Sequence, residues 1–229
     1  MKKQKIAVLT GAGISAESGL KTFRDADGLW EGHHVEEVAT PEGFRKNPDL
    51  VLEFYNQRFH QAREAQPNQA HLALKKLEEK YEVVVITQNV DDLHERAGSS
   101  NIIHLHGSLN TCRSSANEDM VFEMPEEGLK MGDLCPLNSQ LRPNIVWFGE
   151  AVPMIERAAA EMSTADIAVI IGTSMQVYPA AGLIDYLPDG HPVYIIDPNA
   201  DQLPAQKNYT AINEKATLGV QQLLQQLLD

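Results

Sequence analysis

A histidine at the end of an apolar run is well placed for proton transfer, because its ordinary pKa lies near neutrality. His106 follows such a run, Ile102–Leu105, and is followed by a glycine. A second run, Glu82–Ile86, leads into Thr87-Gln88-Asn89-Val90-Asp91. Those amides and that carboxylate can order hydroxyl groups and an amide-bearing ring. A third run, Lys5–Leu9, opens into Gly11-Ala12-Gly13-Ile14-Ser15. Gly11, Gly13 and Ala16 match the Gly-x-Gly-x-x-Gly/Ala spacing that lets backbone N–H groups approach a pyrophosphate at a helix start. Ile167–Ile171 ends in Gly172-Thr173-Ser174, and Val193–Ile196 ends in Asp197. Glycines and hydroxyls suit phosphates, and Asp197 suits ribose hydroxyls. A glycine turn alone also serves an empty strand-to-helix turn, and a lone histidine is more often structural. Five such endings in one chain imply a single crevice for a polar ligand.

The elements that must position these groups follow from the same runs. They are short and continuously apolar, as in strands buried on both faces of a parallel sheet. Tyr209–Ile212 is a weaker sixth candidate. Helical spacing lies between and after them: Asn68–Lys80 with Ala70, Leu74 and Leu77; Met154–Met162; and a closing stripe of Val220, Leu223, Leu224, Leu227 and Leu228. The alternation predicts an α/β fold, a doubly wound parallel sheet of Rossmann-like, dinucleotide-binding type. In such sheets ligands bind beyond the carboxyl ends of the strands.

Two segments interrupt the rhythm. Phe23–Gln66 has no good strand and reads as loop plus helices, punctuated by Pro41 and Pro48. Gly107–Pro143 is polar, irregular and acidic, and holds both cysteines. The expected organisation is one domain over 1–229. Its core would be 1–22, 67–106 and 144–229, with a small inserted subdomain from 23–66 and 107–143.

The chain has 229 residues, 43% of them hydrophobic, and a formal net charge of -13. That charge argues against general nucleic-acid binding, which needs basic patches. The apolar runs are too short to span a bilayer, and the N-terminus lacks a secretory pattern, so a cytoplasmic location is expected.

Taken together the motifs resemble the sirtuins, NAD-dependent protein lysine deacylases. The resemblance covers nearly the whole chain. It rests on Gly11–Ser15, Phe23-Arg24-Asp25, Thr87–His94, His106-Gly107, Val146-Trp147-Phe148-Gly149-Glu150 and Gly172–Pro179, in the family's order. It implies a role for each group. Gly11, Ala12, Gly13 and Ser15 would hold the pyrophosphate, with Phe23 and Arg24 on the cofactor loop. Gln88, Asn89 and Asp91 would form the nicotinamide and ribose pocket. Gly172, Thr173, Ser174 and Asp197 would meet phosphate or ribose. Val146, Phe148, Gly149 and Val177 would line the substrate channel.

His106 would be the general base and Asn89 its catalytic companion. In the implied reaction the acyl-lysine carbonyl oxygen attacks C1′ of the nicotinamide ribose and nicotinamide leaves. His106 deprotonates the ribose, whose hydroxyl takes over the acyl group before water frees the lysine. The products are nicotinamide and O-acyl-ADP-ribose. Two departures stand out. Gly19-Leu20-Lys21 replaces the usual Gly-Ile-Pro, and Asp197 stands where many members have Asn.

A third departure concerns metal. The family commonly carries two Cys-x-x-Cys pairs, but the slots here read Cys112 with Ser115 and Cys135 with Asn138. Hydroxyl and amide groups are poor zinc ligands beside thiolate, so the expected cofactor is NAD without zinc. Ala39, Tyr55 and Arg58 resemble the desuccinylase and demalonylase branch. Tyr55 and Arg58 share a helix face and could hold a terminal carboxylate.

The expected partners are acyl-lysine proteins or peptides, with neither membrane nor nucleic acid. Two other readings stand beside deacylation. One is ADP-ribosyl transfer or NAD hydrolysis in the same pocket. The other is a non-catalytic NAD-binding module, against which His106, Asn89 and Asp91 argue.

Overall fold

Backbone hydrogen bonding follows the apolar runs. The computed structural model describes residues 2–21, 29–202 and 208–228. In chain order its elements begin with β1 (Lys5–Thr10), β2 (Leu29–Trp30), β3 (His33–His34), α1 (Val35–Val38), α2 (Pro41–Lys46) and α3 (Pro48–Glu64). There follow α4 (Gln69–Leu77), β4 (Glu82–Thr87), α5 (Leu93–Arg96), β5 (Ile102–His104), β6 (Gly107–Ser114), β7 (Val121–Glu123) and β8 (Leu141–Ile145). The chain closes with α6 (Ile155–Ser163), β9 (Ile167–Ile171), β10 (Val193–Ile196), β11 (Tyr209–Ile212) and α7 (Ala216–Leu228).

The main sheet has six parallel strands in the order β11-β10-β9-β1-β4-β5. All six runs read from the sequence are strands in it, the weaker Tyr209–Ile212 at one edge. Strand periodicity sends alternate side chains to opposite layers. Ile6, Val8, Val83, Val85, Ile167 and Val169 pack with Leu74 and Leu77 of α4 and with Val220 and Leu223 of α7. Ala7, Leu9, Val84, Ile86, Ala168 and Ile170 pack with Ala158 and Met162 of α6 and with Leu183. Full burial of each large aliphatic is worth about 1.5–3 kcal/mol, so the central strands are fixed from both faces. This is the doubly wound, Rossmann-like α/β fold.

The start of α4 is tied to the glycine turn. The Asn68 side-chain oxygen caps α4 by accepting from Ala70 N at 2.9 Å. Its amide Nδ2 donates to Ile14 O at 2.8 Å and to Ser18 Oγ at 3.0 Å.

The two interrupting segments are more ordered than their sequence implies. Gly107–Pro143 is not irregular: β6, β7 and β8 form an antiparallel sheet in the order β7-β6-β8. Its strands carry buried Arg113 and Arg142, which obscure the apolar alternation. In the other segment, β2 and β3 pair as a short hairpin. A third apolar cluster joins Val51, Leu52, Phe54, Tyr55 and Phe59 of α3 to Leu109, Cys112, Ile145 and Trp147. Among the described residues, no helix is long and apolar enough to cross a membrane.

Candidate active site

Strand order reverses direction between β1 and β9, and the glycine turn lies across that switch point. Gly11 N donates to Ile171 O at 3.0 Å, and Gly13 N to Gly172 O at 2.9 Å. A Cβ on Gly13 would stand 2.5 Å from Gly172 Cα. A Cβ on Gly172, at φ +60, would stand 2.5 Å from Ile14 N. The two backbones therefore touch, and their open side forms the cradle that an anion at a switch point requires.

A cavity of about 390 Å³ lies over this cradle. One part is lined by Gly11, Ala12, Gly13, Ser15, Gln88, Asn89, Asp91, His106, Gly172, Thr173, Ser174 and Asp197. The other is lined by Ala39, Tyr55, Arg58, Val146, Phe148, Gly149 and Val177. Residues far apart in sequence thus share one space. Phe23 and Arg24 lie outside the described residues.

The polar floor is built from hydrogen bonds between strand ends. Ser15 Oγ donates to Asp91 Oδ2 at 3.0 Å and accepts from Asn89 Nδ2 at 3.1 Å. Burial pushes the Asp91 carboxyl up, while the Leu93 amide and the Ser15 hydroxyl oppose it. Gln88 Nε2 donates to Thr173 Oγ1 at 3.0 Å, joining the ends of β4 and β9. Asp197 is buried, and its Oδ1 accepts from Asn199 N at 3.0 Å.

His106 Nδ1 lies 3.0 Å from Gln88 O. A carbonyl only accepts, so Nδ1 carries the proton and Nε2 keeps the lone pair of the neutral ring. Burial pushes the imidazole pKa down, and the Gln88 carbonyl partly offsets this. The next residue must be glycine: Gly107 has φ +83, and a Cβ there would stand 1.9 Å from Asn144 O.

Beneath the floor lies a buried polar layer. Thr10 Oγ1 bonds Thr87 Oγ1 at 2.8 Å and His94 Nε2 at 3.1 Å. His94 meets His71 ring to ring at 4.9 Å, and both side chains are fully buried. Desolvation holds both imidazoles down, His71 to about 4.

At the far end, α3 presents Tyr55 and Arg58 one turn apart. Trp147 Nε1 donates to Tyr55 Oη at 3.0 Å. Burial pushes the phenol pKa far up, so its proton stays available to donate. Arg58 Nε donates to Gln61 Oε1 at 3.1 Å, and the guanidinium sits 4.8 Å from the Phe54 ring centroid. Among the described residues, Arg58 Nη1 is buried with no hydrogen-bond partner. Ala39 closes this end, its carbonyl accepting from Phe148 N at 3.0 Å.

The sequence reading missed the support for this wall. Glu150 accepts from Arg142 at 2.7 and 3.0 Å, from Arg113 at 3.2 and 3.3 Å, and from Trp147 N at 2.8 Å. The Arg142 guanidinium stacks 3.3 Å over the Trp147 ring. The spacing of Arg58 and Gln61 could have revealed their contact, since both lie on one helix face. The spacing of Arg113, Arg142 and Glu150 carries no such signal, because a sheet fold brings them together.

Both cysteine thiols have protein partners. Cys112 Sγ donates to Glu123 O at 3.5 Å and Cys135 Sγ to Ser114 Oγ at 3.2 Å. Ser115 pairs with Ser139 at 2.7 Å. Among the described residues, no group of three or more His, Cys, Asp or Glu side chains could hold a metal ion.

Comparison with known proteins agrees with this architecture. The Sir2 family model matches residues 11–179. An NAD-dependent protein deacylase of Helicobacter pylori is 53% identical over 226 residues, covering 99% of this chain and 98% of the relative. A protein of the same name from Bacteroides thetaiotaomicron is 53% identical over 230 residues, covering 98% of each. A solved mutant Sir2 homologue in complex with ADP ribose superposes with TM-score 0.86 at 40% identity, covering 99% of this chain and 92% of that one. The chain belongs to the Sir2 family.

Proposed function

We propose that this protein is an NAD-dependent protein lysine deacylase that favours acidic acyl groups, succinyl and malonyl, over acetyl. The names of the relatives support the deacylase activity. The glycine cradle supports a dinucleotide, because its close backbone approach leaves room for phosphate where a side chain would intrude. NAD supplies the ribose C1′ to which the acyl oxygen is transferred as nicotinamide departs.

The chain's own groups divide the work. Gly11, Ala12, Gly13, Ser15, Thr173 and Ser174 hold the phosphates and adjacent hydroxyls, and Asp197 takes a ribose. Gln88, Asn89 and Asp91 orient the nicotinamide end. His106 Nε2 accepts a proton from the ribose hydroxyl. Val146, Phe148, Gly149 and Val177 guide the acyl-lysine stem and exclude water.

The observation that carries the acyl preference is Arg58 Nη1, a buried cationic donor without a hydrogen-bond partner among the described residues, in the same cavity as the Tyr55 phenol. A buried unsatisfied donor is costly, and a ligand carboxylate relieves it through charge-assisted bonds. Small Ala39 leaves length for the acyl chain.

The test is turnover of acetyl-, malonyl-, succinyl- and glutaryl-lysine peptides with NAD, with products identified by mass spectrometry. O-acyl-ADP-ribose, formed faster from succinyl- or malonyl-lysine, is expected. Arg58→Met should reduce kcat/KM on succinyl-lysine by about thirty- to a hundredfold and spare acetyl-lysine. Equal losses on both substrates would refute the acyl assignment. Free ADP-ribose or ADP-ribosylated protein as the main product would refute deacylation.

A further inference from the structure

The hairpin of β2 and β3 turns at Glu31 and Gly32, with φ of 51 and 83. Two-residue hairpin turns with both φ positive favour Asn or Asp before Gly, so glutamate is an unusual occupant. The hairpin is seated by Trp30, whose ring meets Phe54 at 5.0 Å and Tyr55 at 6.3 Å, both on α3. Glu31 thereby lines the same cavity as Tyr55 and Arg58. Its side chain is only 13% exposed. A carboxylate so enclosed needs a cation. Lys21 Nζ supplies one at 3.1 Å, and Lys21 lines the cavity too. Glu31 also acts on Arg58: burial pushes the guanidinium pKa down, and the Glu31 charge opposes that. Yet Arg58 Nη1 has no hydrogen-bond partner among the described residues.

Among the described residues, Glu31 thus shares this cavity with two cationic side chains, Lys21 and Arg58, and is bonded to the outer one, Lys21. We propose that Glu31 is a specificity-determining residue, a resident carboxylate that competes with an acidic acyl group for Arg58, and that Lys21 restrains it. This rests on the acyl assignment for Arg58 above. Like charges enclosed in one cavity oppose one another. Glu31 therefore raises the KM of an acidic acyl-lysine and leaves a neutral acyl tip indifferent. Lys21 draws the carboxylate outward and keeps Arg58 available. The lysine at 21, where sirtuins usually have proline, thus gains a role: it links the segment leading into the cofactor loop to the acyl end of the pocket.

The test is kcat and KM for succinyl- and acetyl-lysine peptides at saturating NAD, in wild type and four variants. Glu31→Gln should lower KM for the succinyl peptide about three- to tenfold and raise the succinyl-to-acetyl ratio of kcat/KM by the same factor. A damaged fold does not improve one substrate selectively. Lys21→Met should raise the succinyl KM, because the freed Glu31 turns to Arg58. The double variant should match Glu31→Gln alone, since Lys21 acts only through Glu31. Arg58→Met separates the two ideas. If it abolishes the succinyl preference while Glu31→Gln leaves the succinyl KM unchanged, the competition is refuted and the acyl assignment stands. If Arg58→Met has no selective effect, both fall.

Discussion

His106 Nδ1 is bound to the Gln88 carbonyl oxygen at 3.0 Å, and Gln88 Nε2 in turn holds Thr173 Oγ1 at 3.0 Å. One residue therefore fixes the tautomer of His106 and joins two strand ends that line the cavity over the glycine cradle. Nε2 is the ring atom left to accept a proton. Burial holds its pKa below 6.5. A general base must be neutral to act, so with His106 in that role kcat/KM should stay flat through pH 6.5 and fall only as pH drops through the depressed value. His106→Ala should lose about two to four orders of magnitude in turnover and the acid limb with it. Turnover near wild type in that variant would remove His106 from the chemistry.

Much of the fold was readable because a parallel sheet leaves a strong trace. Ile6–Leu9, Val83–Ile86 and Ile167–Ile171 are buried on both faces, so continuous apolar runs mark them. The lining residues at the strand ends, among them Gly11, Gln88, His106, Thr173 and Asp197, were readable because they follow such runs directly, whereas Ala39, Tyr55 and Arg58 came only from the resemblance. The antiparallel sheet of β6, β7 and β8 was not. Its buried Arg113 and Arg142 both meet Glu150, and nothing in local spacing announces a long-range ion cluster. The β2–β3 hairpin was hidden for a related reason: Glu31 and Gly32 do not spell a favoured turn.

The paired His71 and His94 give a second prediction. Both are buried neutral, and His71 is held down to about 4 from 6.5. The unfolded chain takes up a proton near 6.5, whereas the folded chain does so only near 4. Stability from His71 is thus complete above pH 6.5 and lost as pH falls toward 4, by about 3 kcal/mol. His104 acts with the opposite sign, since Glu95 holds its pKa up against burial. The comparison must therefore be with His71→Gln. Urea unfolding at pH 7.5, 6.0 and 5.0 should show a shallower slope in the variant. Parallel slopes would mean that the imidazole pair carries no pH dependence.

A third prediction concerns metal. The Cys135 thiol is engaged with Ser114 and the Cys112 thiol with the Glu123 carbonyl. Cys135 N also bonds Ser139 O at 2.9 Å, closing the turn by backbone contact. Purified protein should contain no stoichiometric zinc, and chelator should leave its melting temperature unchanged. Structural zinc contributes on the order of 10 kcal/mol in small domains, so a real site would be conspicuous. One zinc per chain by elemental analysis, with unfolding of 107–143 in chelator, would overturn this.

The last prediction tests the wall behind Tyr55. Glu150 is the shared acceptor of Arg113, Arg142 and the Trp147 amide. Removing one partner of a buried pair leaves the others charged and unsatisfied, which costs about 3–5 kcal/mol. Glu150→Ala should therefore destabilise the protein by about 3 kcal/mol, the lower figure reflecting a side chain with 20% exposure. Burial pushes the Glu150 carboxyl up, but Arg142 and the Trp147 amide hold it below 4.5. Its contribution is therefore present above pH 4.5 and lost as pH falls through the depressed value. The deficit of the variant should narrow in acid. Function should respond too. Arg142 stacks on Trp147, and Trp147 donates to the Tyr55 hydroxyl. Loosening Arg142 loosens that phenol, so succinyl-lysine KM should rise more than kcat falls. If Glu150→Ala unfolds at the same denaturant concentration as wild type, the ion cluster is a bystander. If stability drops with no change in succinyl KM, the wall is structural, and Tyr55 is placed by the packing of α3 alone.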